Sequence, residues 1–296
     1  MATLRELKGR IGSVASSEKI TGAMKMISSA KMHKAENSLR RLVPFKSQIQ
    51  DIMANLLSSD ATFASPLTLP RPEVKNYTLV AWGSDDGLCG AYNANIFKGL
   101  AARVNQVQQQ YPLAEIKIVT IGKKLHKAAV KLLGSPRVNV VEASVDSKAD
   151  GKPVDDFMLQ LQQQFSTGKT DLVEALYMHF KTAGRQVLTK VQLLPVLSEM
   201  FETPGASSKP HGRPYLFEPD PNAIFNAILP MFLLSTMQEV FTENRASEQA
   251  ARVMAMQSAN DNAKTLLEEL NLEYNKLRQQ SITSELLDIV GGQSRE

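Results

Sequence analysis

The chain has 296 residues, of which 43% are hydrophobic and 22% are charged, and its formal net charge is +4. This composition is ordinary for a globular protein and excludes a low-complexity or disordered chain. The single cysteine, Cys89, excludes an internal disulfide and fits a reducing compartment. The first residues contain no apolar signal region, so we expect no secretory export.

Residues 1–58 are predicted to form one long helix. Apolar residues recur at spacings of three and four from Leu4 to Val14, and the pattern resumes after a slip and continues to Leu56. The contact positions expected after the slip are Ile20, Met24 and Ile27. Pro44 should kink this helix without ending it.

The N-terminal helix is strongly basic. Residues 1–46 carry ten Lys or Arg against three acidic residues. Such a charge distribution should be attracted to an acidic surface, which could belong to nucleic acid, a membrane or an acidic protein cavity. A solvated helix face is the simpler interpretation of the same charges.

Between residues 76 and 200 the pattern changes to short apolar strands that alternate with helices. This alternation predicts a largely parallel sheet covered by helices, a Rossmann-like α/β domain. Residues 201–221 are rich in proline and glycine and are predicted to be a linker. The predicted strands are 77–82, 115–121, 137–142, 171–180 and 186–194, and the predicted helices are 93–110, 123–133 and 153–165.

Residues 222–290 are predicted to form a second long helix, because they contain Pro230 but no glycine before Gly291. About 60 helical residues span roughly 90 Å, whereas a compact chain of this length has a diameter of roughly 50 Å. We therefore expect the helix to project and to pair with the N-terminal helix. The expected contact positions are Ala263, Leu266, Leu270, Tyr274 and Leu277.

The fold class that follows is α/β, with a long antiparallel coiled coil formed by the N- and C-terminal helices plus a Rossmann-like α/β domain. The alternative is that both helices are ordinary amphipathic helices packed on a core. The longest apolar run, near residues 223–234, is interrupted by Asn226 and Pro230 and is too short to predict a membrane span.

Three patterns that can carry chemistry lack an essential feature. Gly168-Lys169-Thr170 resembles the end of a phosphate-binding loop, but Gln163 replaces the required first glycine. The glycines of residues 83–90 have the wrong spacing for a dinucleotide site, and Asp85 and Asp86 would repel a phosphate. The four histidines lack the spacing of metal ligands. We therefore expect no catalytic residues, no cofactor and no metal.

Four segments together resemble one known family. They are KITGAMKMISSAKMHKAE (19–36), SDDGLCGAYN (84–93), YLFEPDP (215–221) and the segment 246–292, which includes ASEQAARVMAMQSANDNAKTLLEELNLEYNKLRQQSIT. In this order they resemble the gamma subunit of F-type ATP synthases. The resemblance implies the architecture expected above, with a coiled coil of the two termini and an α/β domain at the base.

The resemblance also implies a mechanical role as a non-catalytic central rotor shaft. Its expected partners are the ATP synthase alpha and beta subunits, the epsilon subunit and the c ring, with no nucleic acid and with peripheral association at the cytoplasmic face of a bacterial inner membrane. The positions that align with residues contacting the ring are Met24, Lys25, Lys31, Lys34, Arg278, Gln279 and Thr283. Those that align with the base, near the c ring and epsilon, are Tyr215, Glu218 and Asp220.

Two departures from the family's pattern concern charge. Gly22 stands where relatives often have a basic residue, and Asp86 stands where they usually have Arg or Lys. Two other functions stay open: a basic coiled coil that binds nucleic acid, and an enzyme built on the α/β domain. The first is disfavoured because residues 1–44 contain no aromatic side chain to stack on bases.

Overall fold

The computed structural model describes residues 3–57, 63–201 and 217–293, with side chains described through Leu287. The chain divides into two compact units. The first comprises Met1–Ser29 and Arg252–Glu296, and the second comprises Ala30–Ala251. Two long helices, α1 (Leu4–Leu57) and α5 (Pro221–Gln293), contribute to both units.

Helix α1 begins with reciprocal hydrogen bonds between Thr3 and Glu6. The Thr3 backbone N–H donates to Glu6 Oε2 at 2.8 Å, and the Glu6 N–H donates to Thr3 Oγ1 at 3.3 Å. This capping box satisfies donors that the first helical turn otherwise leaves unpaired. The helix continues through Pro44, as predicted.

The inner face of α1 follows an unbroken heptad pattern. Its positions are buried or half-buried and recur at alternating spacings of four and three: 7, 11, 14, 18, 21, 25 and 28 in the first unit, and 32, 35, 39, 42, 46, 49, 53 and 56 in the second. The predicted slip is therefore wrong. Ile20 and Ile27 are 59% and 56% exposed. The inner positions beside them are Glu18, Thr21, Lys25 and Ser28, whose polarity hid the pattern.

Helix α5 shows the same spacing in the first unit. Its inner positions are 256, 260, 263, 267, 270, 274 and 277, all buried or half-buried. The prediction was correct for Ala263, Leu270, Tyr274 and Leu277. It was wrong for Leu266, which is exposed while the half-buried Leu267 takes the inner position.

The second unit contains a five-stranded sheet in the order β3-β2-β1-β4-β5. The pairs β1–β2, β2–β3 and β1–β4 are parallel, and β4–β5 is antiparallel. The strands are β1 (Asn76–Trp82), β2 (Glu115–Ile121), β3 (Val138–Glu142), β4 (Leu172–Thr182) and β5 (Arg185–Leu194). The shorter helices are α2 (Tyr92–Gln110), α3 (Lys123–Leu133) and α4 (Lys152–Ser166), and Ser198–Phe201 form a 3-10 turn.

Helices cover both faces of this sheet. On one face, α2 and α3 pack with residues such as Ile96, Leu100 and Leu125 against strand residues such as Leu79. On the other face, α4 and parts of α1 and α5 cover Trp82, and the ring of Phe241 from α5 packs edge-on against it. Burial on both faces explains the continuous apolar runs of the parallel strands.

Helix α5 contains an 18-residue window whose mean hydropathy of 1.4 meets a membrane-span criterion. Half of that window is buried inside the structure. Phe225, Leu229, Phe232 and Leu233, near the start of α5, are buried in the core on the sheet. The core helix of a water-soluble protein meets the same criterion, so the window is weak support for a span.

Candidate functional site

The outer face of α1 in the first unit carries large apolar side chains in solvent. This face, which consists of Lys19, Ile20, Ala23, Met26 and Ile27, is exposed throughout, and Met26 is 68% exposed. The inner positions of the same turns are polar, and the Thr21 hydroxyl donates to the Ser17 and Glu18 carbonyls of its own helix. Over this stretch polar side chains lie on the inner face and apolar side chains lie on the outer face, the reverse of the usual distribution. An exposed apolar face of this kind is suited to binding a partner.

One polar contact joins α1 to α5 across this stretch. Asn260 of α5 is 8% exposed, and its Nδ2 donates to the Glu18 backbone oxygen at 2.7 Å. The same nitrogen lies 3.4 Å from Thr21 Oγ1. Gly22 faces this amide, since a Cβ at position 22 would lie 3.3 Å from Nδ2.

The residues aligned with ring contacts differ in exposure. Met24 and Lys25 are half-buried, while Lys31 and Lys34 are exposed. Arg278, Gln279 and Thr283 are exposed on α5, and Thr283 Oγ1 donates to the Gln279 carbonyl at 2.9 Å.

The residues aligned with the base lie near the start of α5. Glu218 and Asp220 are exposed, and Tyr215 lies outside the described residues. Asp220 caps α5, because its Oδ1 accepts a hydrogen bond from the Ala223 N–H at 2.9 Å. Pro221 occupies the first helical position, where its missing N–H leaves no intrahelical bond unmade.

The loop after β1 uses its acidic residues structurally. Asp85 Oδ1 accepts from the Lys123 N–H at 3.0 Å, and Asp85 Oδ2 accepts from Ser147 Oγ at 2.6 Å. The carboxylate therefore occupies the N-terminus of α3, the position where an anion could otherwise bind. Asp86 pairs with Lys148 Nζ at 3.0 Å, which raises the pKa of Lys148.

The glycines of this loop serve packing. A Cβ on Gly83 would lie 2.5 Å from Leu125 Cβ. Gly122 has φ +100°, and a Cβ there would lie 2.8 Å from the Gly83 carbonyl carbon. The Leu125 side chain therefore requires glycine at position 83, and the Gly83 backbone requires glycine at position 122.

The segment that resembles a phosphate-binding loop is a helix C-cap. Gly168 has φ +73°, its N–H donates to the Phe165 carbonyl at 3.0 Å, and the Lys169 N–H donates to the Gln164 carbonyl at 2.9 Å. These two bonds define a Schellman motif at the end of α4. Thr170 is buried, and its hydroxyl lies 2.8 Å from that of Thr78.

Two charged networks stabilise the second unit. Arg103 on α2 makes a bidentate pair with Glu174 on β4, with both N–O distances 2.7 Å, and its Nη2 donates to the Tyr77 hydroxyl at 3.1 Å. The hydrogen bond to Glu174 raises the pKa of Arg103, and burial raises the pKa of Tyr77. This network joins α2 to two central strands.

The second network joins α1, β4 and α5 within the same unit. Lys46 pairs with Glu239, and His179 Nδ1 lies 2.7 Å from Glu243 Oε2. Burial raises the pKa of Glu243, an effect that the hydrogen bond from His179 opposes. Burial also raises the pKa of Tyr177. Among the described residues, no group of three or more His, Cys, Asp or Glu is arranged to hold a metal ion.

Comparison with known proteins identifies the family. A family model described as ATP synthase matches residues 3–294. The ATP synthase gamma chain of Parabacteroides distasonis is 38% identical over 296 residues, covering 99% of this chain and 98% of the relative. That of Phocaeicola vulgatus is 38% identical over 292 residues, covering 99% of each. The chain belongs to the ATP synthase gamma chain family.

Solved structures share the gamma chain fold. A chain of the Euglena gracilis mitochondrial ATP synthase (OSCP/F1/c-ring, rotational state 3) aligns with a TM-score of 0.62 at 20% identity, covering 98% of this chain and 93% of that one. A chain of the Tetrahymena thermophila mitochondrial ATP synthase central stalk and c-ring aligns with a TM-score of 0.57 at 23% identity, covering 81% and 99%.

Sequence reasoning missed two features of this gamma chain family member. The apolar pattern assigned Ile20 and Ile27 to the inner face, whereas strict heptad spacing counted from Leu7 excludes both residues from that face. Sequence reasoning also did not pair Asn260 with Gly22, because residues 238 positions apart in sequence give no local signal of their contact.

Proposed function

We propose that this chain is the central rotor shaft of an F-type ATP synthase. In this role, residues 1–58 and 222–290 form the shaft inside the ring of alpha and beta subunits. Residues 76–200 form the base, on the c ring and beside epsilon, and residues 201–221 link the base to the C-terminal helix. Rotation of an asymmetric shaft biases each catalytic site in turn toward a different conformation. ATP chemistry belongs to the other subunits, and the chain reaches the cytoplasmic face of the bacterial inner membrane through the complex.

The observation that carries this proposal is the exposed outer face of α1. Ile20 and Ile27 each leave more than half of their surface in water, although the adjacent inner positions are polar. Fully burying an isoleucine side chain stabilises by about 1.5–3 kcal/mol, so covering the exposed half of each contributes roughly 1 kcal/mol. A partner that enclosed this face would gain from both residues.

Basic charge further along α1, in the second unit, also supports ring binding. Lys31 and Lys34 are exposed on α1, and their basic charge suits acidic loops of the beta subunits. Lys25 is half-buried at an inner heptad position, and Met24 is half-buried beside it. We therefore expect Lys31 and Lys34 to make the larger electrostatic contribution to ring binding.

The second group of ring contacts lies on α5. Arg278 and Gln279 are exposed and can donate hydrogen bonds to a facing loop. The Thr283 hydroxyl donates within its own helix but keeps acceptor capacity. The proposed contacts to the c ring and epsilon at the base are Tyr215, Glu218 and Asp220. Glu218 and Asp220 are exposed, and Asp220 keeps a second carboxylate oxygen beyond the one that accepts the α5 capping bond.

The test is binding of the purified chain to an alpha–beta ring that lacks epsilon and the c ring. The double variant Ile20→Ser and Ile27→Ser should weaken binding by one to two orders of magnitude, since about 2 kcal/mol of apolar burial is lost. Isoleucine and serine have similar helix propensities, so helix content should be unchanged. The control is Leu113→Ser with Leu132→Ser, which removes two apolar residues that are 76% and 63% exposed on the second unit.

A charge test uses the same assay. Lys31→Gln with Lys34→Gln should weaken ring binding by about twofold to thirtyfold, and the loss should shrink at high salt. Lys123→Gln with Lys127→Gln, at exposed positions of α3, is the matched control. Equal losses from both pairs would contradict the assigned surface. Failure to bind the ring, together with tight and salt-sensitive binding to duplex DNA, would favour the nucleic-acid function instead.

A further inference from the structure

We propose that Asn260 and Gly22 form a register lock: Gly22 gives the Asn260 amide access to the Glu18 backbone oxygen, and this hydrogen bond fixes the axial position of α1 against α5 in the first unit. The inference rests on the contacts between these two helices and does not depend on the proposed function. Asn260 and Gly22 act here as positioning residues.

The hydrogen bond from Asn260 is specific for register because its acceptor, the Glu18 backbone oxygen, lies beside Gly22. Asn260 Nδ2 donates to the Glu18 backbone oxygen at 2.7 Å, and this oxygen is held by the helix at a fixed height along its axis. A slip of one heptad would place the amide beside Ala15 or Ser29, whose Cβ would crowd its approach to the backbone oxygen and leave a nearly buried amide without its acceptor. Leaving a buried donor unsatisfied is costly, so the contact discriminates against slipped pairings.

Gly22 gives the amide access to that oxygen. A Cβ at position 22 would lie 3.3 Å from Asn260 Nδ2, tighter than ordinary van der Waals contact. At Gly9 and Gly12, the other glycines of α1, a Cβ would meet nothing within 4 Å. Glycine disfavours a helix interior at all three positions, but among them only Gly22 has a neighbour on α5 that a Cβ would crowd.

The surrounding inner face needs such a lock. Its α1 positions here are Glu18, Thr21, Lys25 and Ser28, which provide little of the interdigitated apolar packing that fixes register elsewhere in a coiled coil. A single buried asparagine at an inner position is a known means of specifying register at some cost in stability. Asn260 occupies an inner position of α5 and is the residue that reaches the α1 backbone.

A glycine series on the full-length chain tests the steric half of the lock. Gly12→Ala should raise the melting temperature of the helical circular dichroism signal by a few degrees, because alanine favours the helix and the site is open. Gly22→Ala should give no increase, since its Cβ displaces the Asn260 amide. In an Asn260→Ala background, Gly22→Ala should become stabilising and match Gly12→Ala. An equal gain from Gly22→Ala and Gly12→Ala in the unmodified chain would overturn the proposal.

A distance measurement tests register itself. Spin labels at Ser16→Cys and Lys264→Cys, both exposed positions, report the axial offset of the helices in a Cys89→Ser background. A slip of one heptad moves the labels by about 10 Å along the axis. Asn260→Leu should retain helix content but broaden the distance distribution or add a second peak, whereas Met256→Leu, at an apolar inner position, should leave one narrow peak. One unchanged narrow peak in Asn260→Leu would contradict a register lock, and loss of helix content would leave the glycine series as the deciding test.

Discussion

Asp85 and Asp86 are adjacent acidic residues in one loop, yet we predict very different effects from their removal. Asp85→Ala deletes the acceptor for the Lys123 N–H, and loss of such a helix cap costs about 0.5–2 kcal/mol. It also leaves the hydroxyl of Ser147, which is 1% exposed, without its 2.6 Å acceptor, at a further cost of about 1–3 kcal/mol. The free energy of unfolding should therefore fall by about 2–4 kcal/mol.

Asp86→Ala is the matched control. Its ion pair with Lys148 joins two side chains that are 65% and 58% exposed, and such pairs contribute about 0–1 kcal/mol. Asp85→Asn should be intermediate, because its amide oxygen still accepts from Lys123 and its NH₂ can donate to Ser147.

Urea denaturation followed by tryptophan fluorescence measures these differences. Trp82 is the only tryptophan of the chain, is fully buried, and directly precedes the loop. Equal losses for Asp85→Ala and Asp86→Ala, or a larger loss for Asp86→Ala, would refute the structural role assigned to Asp85.

Three further predictions concern other parts of the chain. Arg278→Ala removes a guanidinium proposed to make a charged hydrogen bond to the ring, so it should lower steady-state ATP turnover of the assembled complex by about tenfold or more. The circular dichroism of the chain should be unchanged. Unchanged turnover would identify Arg278 as a solvent-exposed residue at the side of the coiled coil with no role in ring binding. Burial raises the pKa of Glu243, so its carboxyl group binds a proton more tightly in the folded chain than in the unfolded chain, and the free energy of unfolding should fall as the pH rises above about 4.5. In a profile of stability against pH, Glu243→Gln should flatten this part of the curve. An identical profile in the variant would exclude Glu243 as the source of the pH dependence. Gly83→Ala should lower the free energy of unfolding, measured by urea denaturation, by about 1–3 kcal/mol because its Cβ would overlap Leu125. Gly87→Ala is the control: a Cβ there meets nothing within 4 Å, so stability should change by less than about 0.5 kcal/mol. Similar losses for both variants would rule out the packing explanation.

The secondary structure of the α/β part could be predicted from sequence because each element carries a strong local signal. The predicted strand 115–121 matches β2, and the predicted helix 123–133 matches α3. Continuous apolar runs bounded by turn residues specify buried parallel strands, and a change to a period near 3.6 specifies the helices between them.

The inner face of α1 could not be predicted in the same way. Ile20 and Ile27 are apolar and suggested the inner face, but an apolar residue is also placed outside where a partner can cover it. Thr21 and Ser28 are polar and suggested the outer face, although the Thr21 hydroxyl is satisfied by carbonyls of its own helix. Residue polarity and heptad spacing therefore disagree over this stretch, and the structure follows the spacing.

The role of Asp85 was only partly accessible from sequence. Its charge argued correctly against a phosphate at this loop, but its partners Lys123 and Ser147 lie 38 and 62 positions further along the chain. Their positions depend on how the loops after β1, β2 and β3 meet at one edge of the sheet. Such contacts between loops have no periodicity that a single sequence could reveal.

Single-molecule rotation is the sharpest test of the proposed rotor function. An alpha–beta ring would be fixed to a surface with this chain assembled in it, and a gold particle would be attached through Lys190→Cys, an exposed position on β5. Native Cys89 is buried and should compete little for the label. If this chain is the rotor, added ATP should drive stepwise rotation of the particle in one direction. ATP hydrolysis by the same complexes without rotation of the particle would contradict it.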